Sequence, residues 1–127
     1  MAQREIRVRA WDTEDNEIYI PEALGICKDG SYMPLRLCKD GNRAYKPHPI
    51  MQFTGLHDKN GKEVFDGDIL ANSHRDDDDN IYVCEYDNSQ ASFVFTSPFD
   101  GESLEQNDFV SDLVIIGNRY ENEELLK

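Results

Sequence analysis

The sequence predicts a mainly β chain, arranged as a small barrel with little helix, and three observations carry that expectation. Its apolar residues either alternate with polar ones or gather in short aromatic and β-branched runs. Five of the eight glycines directly follow Asp or Asn: Gly30, Gly41, Gly61, Gly67 and Gly101. Such pairs favour the positive φ angles that tight turns need. Only two short stretches read as helical.

Arg4 to Trp11 alternates strictly, with Ile6, Val8 and Ala10 on one side and Arg7 and Arg9 on the other. Period two over that length predicts a half-buried strand. A polar turn over residues 11–17 leads to Ile18-Tyr19-Ile20, so a hairpin is expected. Pro21 to Leu24 could form one helical turn, with Pro at its first position and Gly25 ending it. Cys27-Lys28-Asp29-Gly30 then recurs as Cys38-Lys39-Asp40-Gly41. This echo predicts two Asp-Gly turns flanking one strand, Ser31 to Leu37. Two copies are too few for a solenoid.

Lys46-Pro47-His48-Pro49 marks the internal boundary, because proline cannot donate to a sheet ladder and favours extended backbone. It divides an N-terminal β-rich segment, 1–49, from a core, 50–127, within a single compact unit, 1–127. His48 reads first as a linker residue. Beyond it, Met51 to Leu70 carries the densest turn signals. Asn60-Gly61 separates Phe53 and Leu56 from Val64 and Phe65, and Asp66-Gly67 turns into the strand Ile69-Leu70-Ala71. Asp58, Asn60 and Glu63 could suggest a calcium loop. That motif needs a ligand at position 62 and Gly at 63, where Lys62 and Glu63 stand.

Ile81 to Tyr86 and Ala91 to Thr96 form the clearest hairpin. Residues 97–108 are polar and broken by Pro98 and Asp100-Gly101. Leu113 to Ile116 is a continuous apolar run, expected to be fully buried and to end at Gly117-Asn118. Tyr120 to Leu126 is a candidate short helix with glutamates in its first turn.

The 127 residues, 39% hydrophobic and 31% charged, describe a soluble globular chain able to bury a core. No run approaches the roughly 20 apolar residues of a membrane span, and the N-terminus lacks an apolar signal core. The expected compartment is the cytoplasm. Cys27, Cys38 and Cys84 are odd in number and widely spaced, which argues for reduced thiols.

The net charge is −13, and it is unevenly spread. Residues 1–75 hold 12 acidic and 11 basic side chains, whereas residues 76–127 hold 14 acidic and two basic. Such a field repels phosphates, so direct nucleic-acid binding is disfavoured and a basic protein partner is favoured. Asp76, Asp77, Asp78 and Asp79 concentrate that charge and form the candidate acidic interaction surface. A solvated loop is the plainer reading of them, because cation sites space their ligands.

Three blocks resemble the YopX family of phage and prophage proteins. Arg4-Glu-Ile-Arg-Val-Arg-Ala-Trp11 is similar to its opening strand. Met51-Gln-Phe-Thr-Gly-Leu-His-Asp-Lys-Asn-Gly-Lys-Glu-Val-Phe-Asp-Gly-Asp-Ile69 resembles its central signature. Ile115-Ile-Gly-Asn-Arg-Tyr-Glu-Asn122 resembles its closing segment. The resemblance implies a β-rich fold with an SH3-like barrel in the C-terminal part and expression in a bacterial host. It implies no catalytic residues. On this reading Gly55, Asn60, Gly61, Asp66, Gly67 and Asp68 serve turn geometry.

No two-histidine helix pair, nucleophile elbow or phosphate loop occurs. Asp66 and Asp68 flank Gly67 and could act as a carboxylate pair in a weak metal-dependent hydrolase, although such residues usually cap turns. The expectation is a non-enzymatic binding protein with no cofactor and no metal. The alternative is an acidic DNA mimic that inhibits a host nuclease or other DNA-binding protein. Self-association is also expected, since short strands leave edges that proteins pair or cover.

Overall fold

Short strands, several of them joined by Asx turns, dominate the computed structural model, which describes residues 7–72, 81–98, 103–104 and 107–126. The chain divides into two compact units, Ile6–Gln52 and Phe53–Lys127, with the division three residues beyond Pro49. Among the described residues there is no α-helix, and no helix is long and apolar enough to cross a membrane. The expectation of a mainly β fold holds.

In the N-terminal unit, β1 (Val8–Asp12) and β2 (Glu17–Tyr19) form the expected hairpin, with Ala10 opposite Tyr19 and Asp12 opposite Glu17. Alternation along β1 buries Ala10 and Asp12 together on one face. The first residues of β6 (Ile50–His57) pair with β1, Ala10 lying opposite Ile50. A three-stranded antiparallel sheet follows from β3 (Leu24–Ile26), β4 (Tyr32–Leu37) and β5 (Arg43–Tyr45). Ala10, Tyr19, Pro34 and Met51 are buried here, together with the polar Asp12 and His48.

The repeated Cys-Lys-Asp-Gly sequence builds the same loop twice. Gly30 N–H donates to Cys27 O, and Gly41 N–H to Cys38 O. Asp29 Oδ1 accepts the Ser31 N–H, and Asp40 Oδ1 accepts the Asn42 N–H, each at 2.9 Å. The two loops bracket β4, as the echo predicted.

In the C-terminal unit, the later part of β6 pairs with β7 (Glu63–Phe65) across the Asn60-Gly61 turn, Phe53 facing Phe65. A five-stranded antiparallel sheet runs in the order β11-β10-β9-β8-β12 and curls into a half-barrel. Its strands are β8 (Asp68–Asn72), β9 (Ile81–Asp87), β10 (Ser92–Thr96), β11 (Ser103–Leu104) and β12 (Leu113–Asn118). Strand β8 is buried on both faces. Leu70 joins Val64, Cys84, Phe95, Val110 and Leu113 in one cluster, while Ile69 joins Ile81 and Val83 in another. Opposite orientation of successive side chains explains the split. Burying each such large side chain stabilises the unit by about 1.5–3 kcal/mol.

Three expectations need correction. Residues 21–23 are not helical; Glu22 N–H donates to Leu35 O and Leu35 N–H to Ala23 O, which ties them to β4 instead. The run Leu113 to Ile116 is strand, yet only Leu113 is buried, because β12 lies at the edge of the sheet and bulges between Ile115 and Gly117. The polar stretch after Ser97 is not element-free: it contains β11 and begins a 3-10 helix, Asn107–Asp112. The tail forms a second, single-turn 3-10 helix, Glu123–Leu126.

Candidate functional site

The turns read from the sequence contain a structural carboxylate, Asp58, which the sequence suggested only as a calcium ligand. Gly55, Gly61 and Gly67 have φ of +89°, +83° and +94°. Asn60 donates its backbone N–H to Asp58 Oδ1 at 2.9 Å, as does Lys62. The other oxygen of Asp58 accepts the N–H of Ile115, 57 residues away, at 3.0 Å. Burial alone would raise the Asp58 pKa, but these three N–H groups and the Lys62 charge outweigh it and hold the carboxyl below its usual range.

Asp68 is buried and its Oδ2 accepts the Phe65 N–H at 2.8 Å. Burial raises the pKa of Asp66, opposed by Arg119 and assisted by Glu85. The Cys84 thiol is raised well above its ordinary value by burial and by the charges of Asp66 and Asp68, so it stays an unreactive thiol. Asp76, Asp77, Asp78 and Asp79 lie outside the described residues.

The densest polar cluster among the described residues lies in the N-terminal unit. Asp12 closes the β1–β2 turn, its Oδ1 accepting the N–H groups of Glu14 and Asp15 at 2.8 and 2.9 Å. Its Oδ2 lies 3.2 Å from Arg36 Nε. Arg36 also pairs with Glu17, and its guanidinium sits 4.1 Å above the Tyr19 ring, a cation–π contact. Burial raises the Asp12 pKa, yet the Asp15 and Glu14 N–H groups and the His48 and Arg36 charges bring it below its ordinary value.

His48 completes the cluster. Its side chain is only 1% exposed, and the flanking prolines carry it into the interior instead of a solvated linker. Nδ1 makes a 2.8 Å hydrogen bond with Tyr19 Oη. Nε2 faces Asp12 Oδ1 and Glu14 Oε1, each 3.6 Å away, and makes no hydrogen bond. Tyr19 is pushed up to about 12 by burial, with Arg36 opposing and Asp12 assisting, so it remains a phenol. Asp12, Glu14 and His48 each offer one ligand atom, all within 4.8 Å of one another. A cleft of about 270 Å³ opens beside them, lined also by Asp15, Cys38, Asp40 and Lys46.

A second feature of this unit is apolar. Among the described residues six large hydrophobic side chains are exposed, and five of them fall between Ile20 and Tyr45. Register places Leu35 opposite Tyr45, with Leu37 on the same face, while Pro34 and Arg36 point the other way. Tyr45 lies over Gly25, whose added Cβ would come 3.2 Å from the ring. Leu37 and Tyr45 are about half exposed on that face, whereas the exposed Ile26 and Tyr32 lie on the face of Pro34, so each face of the sheet is only partly covered.

Comparison with known proteins supplies a family and a fold. The model of the family described as YopX protein matches residues 7–127. The crystal structure of protein EF1440 from Enterococcus faecalis aligns over 98% of this chain and 100% of its own, at 24% identity and a TM-score of 0.69. The crystal structure of protein yopX from Bacillus subtilis aligns over 95% of each chain, at 22% identity and a TM-score of 0.59. At these identities the two structures are alike in fold. No curated protein matches the chain.

Proposed function

The chain belongs to the YopX family, and on that premise we propose that it is a non-enzymatic protein-binding protein of mobile-element origin, working in the cytoplasm of a bacterial host. The observation that carries this reading is the face of the β3-β4-β5 sheet that exposes Leu37 and Tyr45, at 46% and 52%, with Arg43 beside them. Clustered exposed hydrophobic side chains mark interaction surfaces more often than they are tolerated for nothing.

Charge narrows the partner. Residues 6–52, which carry the face, hold seven acidic and seven basic side chains, so this unit is neutral. Residues 53–127 hold 18 acidic and five basic. The fitting occupant is a basic protein with an apolar patch, steered by the acidic residues and held by desolvated contacts on the neutral face.

The test uses the full chain as bait and identifies what it captures, with Leu37→Ser and Tyr45→Ser as controls. Capture of a basic protein that survives 0.5 M salt and is lost in both variants supports the reading. Capture that ignores both substitutions would overturn it. Capture of DNA-binding proteins that is abolished by salt would favour the second reading, DNA mimicry by the acidic residues.

A further inference from the structure

We propose that Asp12, Glu14 and His48 form a binding site for a divalent first-row transition metal, of the zinc and cobalt class. The β1–β2 turn places Asp12 and Glu14, but it leaves the buried Nε2 of His48 without a hydrogen bond. Asp12 Oδ1 accepts two backbone N–H groups of the β1–β2 turn, which orients the carboxylate, and Oδ2 lies 3.2 Å from Arg36 Nε in an ion pair. The imidazole is fixed equally firmly by Tyr19. What remains is a buried ring nitrogen with no hydrogen-bond partner, aimed between two carboxylates at 3.6 Å from each. Leaving such a nitrogen unpaired in the interior is unfavourable.

The spacing suits a metal. An ion bonded at about 2.1 Å to two atoms 3.6 Å apart subtends an angle of about 120°. One imidazole and two carboxylates are the mixed nitrogen and oxygen donors that this class of ion accepts, whereas magnesium and calcium prefer oxygen alone. The Tyr19 contact supplies the outer-sphere partner that metal-bound histidines require. In the metal-bound state Nδ1–H donates to Tyr19 Oη, which frees the Nε2 lone pair.

Glu14 is the exposed part of the site. Its side chain is 63% exposed, and Lys46 Nζ lies 3.4 Å from Oε1. A metal must displace that ammonium, so the two compete for one carboxylate. Asp12 and His48 are thus a preformed pair, and Glu14 closes on the ion.

The probe is Co²⁺, titrated into the full chain at pH 7.5 and followed by visible absorption and calorimetry. One equivalent is expected to bind, with ligand-field bands in the visible. Glu14→Gln, an exposed change that leaves folding intact, weakens binding at least tenfold. His48→Gln abolishes it, and Lys46→Met tightens it several-fold by removing the competing charge. Absence of saturable binding at millimolar Co²⁺ overturns the proposal. So does binding that stays within twofold of the parent in Glu14→Gln, whether or not His48→Gln folds, because the ion would then sit elsewhere.

Discussion

Asp12 and Asp58 do the same local job in the two units and end in different chemistry. Each is almost fully buried, at 3% and 4% exposure, and each uses Oδ1 to close a turn by accepting two backbone N–H groups. The second oxygen separates them. In Asp58 it meets the backbone N–H of Ile115, a neutral donor with no further partner to find. In Asp12 it meets the Arg36 guanidinium, which brings Glu17 and Tyr19, while Oδ1 faces His48. A buried carboxylate answered by backbone is a closed account of hydrogen bonds. One answered by side chains gathers charges that can recruit something else.

The strongest way to break this comparison is to remove each carboxylate in turn. Asp12→Ala leaves Arg36 with Glu17 alone and two turn N–H groups unpaired, a loss of about 3–5 kcal/mol. Trp11 is the single tryptophan and neighbours the site, so the midpoint of its fluorescence in urea should fall. Asp58→Ala leaves three N–H groups without acceptors, for about 2–4 kcal/mol. Hydrogen exchange at the Ile115 amide should accelerate, and unchanged protection there would show that Asp58 is not a staple.

Acid sharpens the contrast. The folded pKa of Asp58 is depressed, so its contribution is fully present above the unfolded carboxyl range near pH 4 and is lost as pH falls through the folded value. Denaturation midpoints taken from pH 5 downward should decline, and Asp58→Asn should flatten that decline. A slope unchanged by the substitution would remove Asp58 from the acid response. The smallest effect is expected at the apolar face. Gly25→Ala pushes against the Tyr45 ring, whose exposed position lets it yield, so stability should change by less than about 1 kcal/mol. Partner capture should weaken nonetheless, because the ring moves.

Hairpins closed by Asn-Gly, Asp-Gly or a short polar turn were legible in the sequence because their chemistry is local. Strands β3 and β5 were not, since three residues carry too little periodicity and depend on β4 for their pairing. Pro21 offered a plausible helix start, and only the distant Leu35 makes the segment extended. The polar cluster was hidden for a similar reason. His48 lies 36 residues from Asp12, and a Pro-His-Pro sequence reads as linker until the fold buries it. The available signal was the rigidity of that tripeptide, which fixes where an imidazole can point. Asp58 was weighed only as a calcium ligand, because nothing local announces a bond to residue 115.

The twin loops that bracket β4 separate two reasons for choosing glycine. At Gly30 and Gly41 φ is +89°, and an added Cβ would meet nothing within 4 Å. Space is therefore not what these positions demand; handedness is. A mirror-image residue satisfies that demand and restricts the unfolded chain as well. Semisynthetic protein carrying D-alanine at both positions should gain about 0.4–1 kcal/mol per site, whereas L-alanine should destabilise it. The loops thus distinguish an amino acid from its reflection with no neighbouring side chain involved.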